Sequence, residues 1–333
     1  MIDRNLLAAG KLPIRHDRLV LPRSRVIIDN DFSGDVDDLF ELVHHVLSPS
    51  VEIPLIIGSH ISVGDVWDSA SNQAEKAAFR ALELLRVMTL DDEYQVLEGS
   101  NEGLLSSRTP KENEASRAIV KEALRDDTRL PLYVACGAGL TELASAWLME
   151  PRISERLIAI WIGGAGYADL GAMPPFTHGP EYNQAIDPIA AQIIFNDSDI
   201  PIWQVPRNVY RQFLMSYAEL CARIRPFGAL GSYLHESVEK AMRWQRRRNP
   251  PGLGETYVMG DSPLVTLTAL QSAFDADPSS SEYVIRPAPR FDDNGQYVEN
   301  PHGRAIRVYT HCDTRLTFED LFLKIRAFAQ AVS

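Results

Sequence analysis

Residues 29–41, Asp-Asn-Asp-Phe-Ser-Gly-Asp-Val-Asp-Asp-Leu-Phe-Glu, put aspartates at 29, 31, 35, 37 and 38 directly after the apolar run Val26-Ile27-Ile28. Carboxylates this close suit two chemistries. They offer oxygen ligands to a hard cation, and one of them within reach of a water can act as a general base. Asp37 and Asp38 open a stretch with apolar residues at Leu39, Leu42, Val43 and Val46, a helical spacing. In the first turn of such a helix, free N–H groups and the macrodipole favour ionised carboxylates, which holds both side chains ready for a cation. Asp31 faces them from the end of the preceding strand. Cap and turn roles explain one or two aspartates, not five at a single edge.

The elements that must position this loop alternate. Short β-branched runs at 25–29, 51–57, 94–97, 132–136, 157–162 and 202–205 read as strands. Between them, 37–47, about 69–85, 115–124, 141–149 and 187–195 read as helices. Repeated βα order predicts an α/β fold, a mostly parallel central sheet flanked by helices, because each crossover carries the chain back over the sheet. Ligands then sit beyond the carboxyl ends of the strands, where the aspartate loop lies. From about 216 to 250 the pattern is mainly helical without clear strands. A helix over 263–273, strands near 283–286 and 304–309, and a closing helix over 318–331 complete a single domain, 1–333.

Bulk properties narrow the partners. Apolar residues at 45% provide a core, and a net charge of −12 argues against nucleic acid and anionic membranes as partners. The basic run Arg243-Trp244-Gln245-Arg246-Arg247-Arg248 reads as a solvated helix face or subunit contact. Cys136, Cys221 and Cys312 are far apart and lack a CxxC, which indicates neither a disulfide framework nor a structural zinc site. With no continuous apolar signal region near the N-terminus and no membrane-length apolar window, the expected location is cytoplasmic.

Two readings of the loop fall short. Asp29, Asp31, Ser33, Gly34, Asp35 and Asp37 match EF-hand positions 1, 3, 5, 6, 7 and 9, but position 12 is Phe40, not the bidentate Glu, and a strand precedes the loop. An Asp-x-Asp pair at 29 and 31 also suits a Mg2+-dependent phosphatase of the haloacid dehalogenase type, with Asp29 as nucleophile, although the later Lys and Asp-Asp motifs are not evident.

A third reading uses more of the chain. "DNDFSGDVDD" resembles the Asp-x-Asp-Pro-Gly-x-Asp-Asp signature of the inosine-uridine-preferring nucleoside hydrolase family, with two more residues before the Asp pair. In matching order follow "IIGSHISVGDVWDSASNQAEKA", "ACGAGLTELASA", "WIGGAG" with "PEYNQAIDPIAAQIIF", and "MGDSPLVTLTAL". Each is similar to a family segment, and together they span residues 25–273.

The resemblance implies Ca2+-dependent hydrolysis of the N-glycosidic bond of a ribonucleoside or related ribosyl glycoside, by water held on the ion. It places the ion on Asp31, Asp38, the main-chain carbonyl near Thr141, and Asp261. Asp31 is also the implied base. Asp37 is implied for the ribose 2′-hydroxyl, Asn183 for the 3′-hydroxyl and Glu181 near the 5′-hydroxyl, with Asp65 where the family has Asn and Asp29 as support. A homodimer or homotetramer is implied too. The chain departs from the family on the leaving-group side: Gly260 stands where many members have the His associated with protonating the base. His60, Trp67, Tyr167, His178, Tyr210 and Tyr257 are candidates to line that side. The longer loop leaves open whether Asp31 or Asp35 faces the ion. A non-catalytic nucleoside- or sugar-binding protein of the same fold is the alternative.

Overall fold

In the computed structural model, which describes residues 19–172, 180–271 and 280–332, the run at 26–28 forms the middle of β1 (Ser24–Asn30), buried along its whole length. That is the environment of a strand covered on both faces. There follow α1 (Asp37–Val46), β2 (Val51–Gly58), α2 (Gln73–Val87), β3 (Val96–Glu98), α3 (Glu114–Ala123), β4 (Leu132–Cys136) and α4 (Thr141–Met149). Next come β5 (Leu157–Ile162), α5 (Tyr182–Ile186), α6 (Pro188–Gln192), β6 (Ile202–Val205), α7 (Arg207–Tyr210), β7 (Leu214–Ser216), α8 (Tyr217–Glu219) and α9 (Gly228–Arg248). The rest is β8 (Thr256–Val258), α10 (Ser262–Thr268), β9 (Glu282–Pro287), β10 (Arg290–Phe291), β11 (Tyr297–Val298), β12 (Ala305–His311) and α11 (Thr314–Val332).

The main sheet has eight strands in the order β3-β2-β1-β4-β5-β6-β12-β9. All neighbours run parallel except the edge pair β12–β9. Strand β1 pairs with β2 on one side and β4 on the other, with Asp29 level with Ile57 and Cys136. The order reverses beside β1, which opens a crevice at its carboxyl end. Apolar clusters cover both faces of the sheet. Every residue of α1 is buried, and its far end is tied to α11 by His44 Nε2 to Asp320 Oδ2, 2.7 Å, and Lys324 Nζ to Ser48 Oγ, 2.8 Å. None of the described helices is long and apolar enough to cross a membrane.

The expected strands and helices form, with instructive differences. The helix expected over 187–195 starts where expected, with Asp187 Oδ1 accepting the Ala190 N–H at 2.9 Å to start α6 at Pro188, and runs on as a wider turn over Ile193–Asp197; the short α5 before it, capped by Glu181, was not expected. Proline in a helix interior lacks the N–H to continue it. Helix α2 starts at Gln73, later than expected, because the Gln73 amide donates to the carbonyls of Ser62 and Asp68, 3.2 and 2.6 Å, and holds 59–72 as a loop. The helical segment around 216–250 is flanked by an antiparallel pair, β7 with β8, that the sequence pattern concealed. Helix α10 ends at Thr268, earlier than expected; residues 272–273 lie outside the described residues.

Candidate active site

Three carboxylates converge at the β1 end of the crevice. One oxygen each from Asp37, Asp38 and Asp261 lies within 4.8 Å of the others. Asp37 and Asp38 occupy the first turn of α1, whose preceding residue, Val36, provides no side-chain cap. Asp261 precedes α10 but makes no capping hydrogen bond either; its N–H donates to Asp37 Oδ2 at 3.2 Å, and its Oδ2 accepts from Asn30 Nδ2 at 3.2 Å. A Cβ on Gly137, just beyond β4, would sit 1.7 Å from Asn30 Oδ1 and 2.4 Å from Asp261 Oδ2, so only glycine permits this approach.

The electrostatics suit a bound cation. Burial raises Asp31, Asp37 and Asp38 well above the ordinary carboxylate range, and neighbouring negative charges raise them further, Asp261 acting on all three. Burial also lifts Asp261 to about 7, with Glu41 and Asp35 adding to the rise and the Asn30 hydrogen bond opposing it. Asp31 Oδ2 and Asp38 Oδ2 are buried without a hydrogen-bond partner. Among the described residues, no Lys, Arg or His ion pair satisfies any of these four carboxylates. Orphaned, buried, oxygen-only donors match what a hard divalent ion requires.

The opposite wall is built from α5 and its approach. Glu181 is buried, and burial raises its carboxyl although Tyr210 Oη donates to Oε1 at 2.6 Å and the N–H groups of Gly164 and Gln184 donate to Oε2 at 2.9 and 3.1 Å. Asn183 Nδ2 donates to the carbonyls of Gly137 and Ile162, both 2.8 Å, so it would meet a ligand with its oxygen. Gly260 separates the two walls: a Cβ there would lie 3.3 Å from both Asp37 Oδ2 and Tyr210 Cδ2.

The remaining expected residues divide. Asp35 Oδ1 accepts from the Val36 N–H at 2.6 Å and from Tyr257 Oη. The longer loop is a turn closed by the Gly34 N–H on the Asp31 carbonyl, 2.6 Å. Asp65 is half-buried, accepting from Tyr182 Oη at 3.0 Å, close enough for its charge to raise Asp31. Thr141 opens α4, and its hydroxyl donates to Asp187 Oδ2 at 2.7 Å, leaving only its carbonyl for an ion. Asp29 is fully buried with Ser59 Oγ donating to it, a supporting position that disfavours the phosphatase reading. Tyr210 and Tyr257 reach the site carboxylates, whereas Tyr167 stacks on Tyr297 at 4.8 Å and donates to Gln204. His60 is buried with both ring nitrogens unpartnered, and His178 lies outside the described residues. Sequence reasoning missed Asn30, Gly137 and Tyr182; Asn30 and Tyr182 were visible only as neighbours of Asp29 and Glu181.

Comparison with known proteins bears on the fold and the family. A sequence model described as "Inosine-uridine preferring nucleoside hydrolase" matches residues 26–317. A protein of that description from Crithidia fasciculata is 36% identical over 94 residues, 28% of this chain and 27% of the relative. One from Leishmania major is 43% identical over 60 residues, 18% of each. The aligned stretches thus span about a quarter or less of these curated relatives. Among solved structures, the purine-preferring ribonucleoside hydrolase of Gardnerella vaginalis superposes with a TM-score of 0.71 at 17% identity, over 92% of this chain and 99% of the other. At such identity the likeness speaks for the fold.

Proposed function

Because this chain belongs to the inosine-uridine preferring nucleoside hydrolase family, we propose that it hydrolyses the N-glycosidic bond of a ribonucleoside or related ribosyl glycoside with the help of Ca2+. The observation that carries this reading is the set of buried, unneutralised carboxylates at the carboxyl end of β1. Asp31, Asp38, Asp261 and the Thr141 carbonyl would hold the ion, which supplies positive charge that orients water and sugar and eases loss of the water's proton. Asp31 is favoured over Asp35 for this place, since its Oδ2 is unpartnered whereas Asp35 is spent on Val36 and Tyr257.

Asp31 would take the proton of the attacking water. Asp37 has one oxygen committed to the Asp261 N–H and keeps the other for the 2′-hydroxyl. Asn183 offers its oxygen to the 3′-hydroxyl, and Glu181, held by Tyr210, lies ready for the 5′-hydroxyl. Positive charge grows on the sugar as the bond to the base breaks, and fixed carboxylates stabilise it.

Release of reducing sugar from a nucleoside panel, with and without chelator, tests the reading. Loss of activity on chelation and in Asp31→Ala is expected; full activity in either would overturn the mechanism. The bare Gly260 beside Tyr210 favours one alternative, a protein that binds a nucleoside or sugar without turnover. Calorimetric binding with no product after long incubation would support it. Light scattering in solution checks the expected homodimer or homotetramer.

A further inference from the structure

Outside the carboxylate cluster, one contact joins two distant segments at the rim of the site. Trp67, in the 59–72 loop, stacks on Trp244, near the basic end of α9, with ring centroids 4.4 Å apart and planes 23° apart. The Arg248 guanidinium lies over the Trp244 ring at 5.0 Å. We propose that this indole pair is a clasp that positions Asp65 and Tyr182 at the leaving-group side of the site, which makes Trp67 and Trp244 positioning residues for substrate. The inference rests on the glycosidase reading above.

The connection from clasp to site is short. The Trp67 N–H donates to Asp65 Oδ1 at 2.8 Å, and Tyr182 Oη donates to Asp65 Oδ2 at 3.0 Å. Both oxygens of Asp65 are therefore used, one toward the main chain of Trp67 and the other toward Tyr182. Tyr182 lies between Glu181 and Asn183, and burial, with the charges of Asp31 and Asp65 beside it, keeps its phenol protonated and donating. Trp67 also packs against the small cluster Ile61, Ala138 and Ile186, directly beyond Gly137. The loop's two ends are held by the Gln73 amide, by Lys76 Nζ on Asp68 Oδ1 at 2.9 Å and by Ser62 Oγ on the Ala185 carbonyl at 3.4 Å, whereas Val63 and Val66 between them are exposed. Helix α9 is anchored independently, with Tyr233 Oη donating to Glu83 of α2 at 2.7 Å. The indole stack therefore gives the exposed turn that carries Asp65 a further fixed point, supplied by α9.

A clasp of this kind acts on substrate and transition state alike, so its loss should raise KM and spare kcat. We expect Trp244→Ala to raise KM for the best nucleoside substrate about tenfold with kcat within about twofold, Ca2+ affinity by calorimetry unchanged, and the excitonic circular-dichroism couplet of the stacked indoles abolished. Trp244→Phe, which keeps an aromatic face, should restore most of the KM. Wild-type KM in Trp244→Ala would overturn the clasp, as would a matching loss of kcat and Ca2+ affinity, the mark of general damage. If the wild-type protein released no sugar from any nucleoside, the glycosidase reading would fail on its own. The clasp would then be judged by D-ribose and inosine binding, read by tryptophan fluorescence: weaker binding in Trp244→Ala supports it, equal binding refutes it.

Discussion

Replacing Asp261 by asparagine should stabilise the metal-free protein, and the gain should depend on pH. Burial and the neighbouring carboxylates lift Asp261 from 3.8 to about 7. A carboxyl whose folded-state pKa is raised contributes its full stability below the unfolded pKa and loses it as pH climbs through the folded one. That rise is worth about 4 kcal/mol. At pH 5 the loss has reached only about 2 kcal/mol, so the advantage of Asp261→Asn over wild type should widen by about 2–3 kcal/mol between pH 5 and pH 8. Comparing variant with wild type cancels the titrating groups remote from the site, while Asp31, Asp37 and Asp38, relieved of the Asp261 charge, add to the gap in the same direction. The amide oxygen introduced by the substitution can still accept from Asn30, so the variant removes charge and little else. Urea unfolding in chelator at the two pH values measures the gap. Adding Ca2+ should narrow the gap at pH 8, since a ligand at 100 times its Kd adds about 2.7 kcal/mol to the protein that binds it. A chelated wild type as stable as the variant at pH 8, or a gap equal at both pH values, would refute the electrostatic account.

Other outcomes follow from the same geometry. Asp31→Asn should lower kcat about 10²–10⁴-fold, the usual worth of a general base, with unfolding unimpaired; a rate within about threefold of wild type, about 0.7 kcal/mol, would remove Asp31 from that role. Gly137→Ala forces a methyl onto Asn30 and Asp261 and should cost about 1–3 kcal/mol of stability together with Ca2+ affinity, seen in denaturation and calorimetry. Tyr210→Phe leaves Glu181 Oε1 without its donor; loss of about 1–3 kcal/mol should appear in KM for substrates bearing a 5′-hydroxyl and not for 5′-deoxy analogues. Burial pushes His44 down to about 4 and His45 down to about 3. Their contribution is whole above 6.5 and lost as pH falls toward those values, so His45→Gln should flatten acid unfolding below about pH 6, followed by circular dichroism.

Strands β1, β4, β5 and β6 were legible because each is a short β-branched run between turn signals, and a parallel sheet buried on both faces demands that composition. The ends of α5 and α6 were less so, since their break depends on where the Asp187 carboxylate finds an N–H. Pair β7–β8 is three residues on each side, too short for an alternating pattern, and its cross-strand pair Leu214 and Val258 is exposed. Within the site, residue type and order pointed to Asp31, Asp37, Asp38 and Asp261. Periodicity could not show that Asp37 shares a triangle with Asp38 and Asp261, or that Gly137 must be bare for it to close. Those are facts of three segments meeting from distant parts of the chain.

The placement of the triangle explains why the site needs so large a framework. A helix terminus stabilises a nearby carboxylate by about 0.3–1 kcal/mol at an exposed site and up to about 2 in partly buried geometry. Asp261 alone incurs about 4 kcal/mol, and Asp31, Asp37 and Asp38 are shifted the same way. The macrodipole of α1 therefore cannot hold the cluster, and the Asn30 amide adds a single neutral donor. What holds it is apolar: α1 is buried from Asp37 to Val46, wedged against the sheet and clamped at its far end to α11. The helix cannot withdraw its acidic turn into water without dismantling that core. The carboxylates are thus kept dehydrated, and their ionisation without a counter-charge destabilises the fold around β1 and α10 as pH rises.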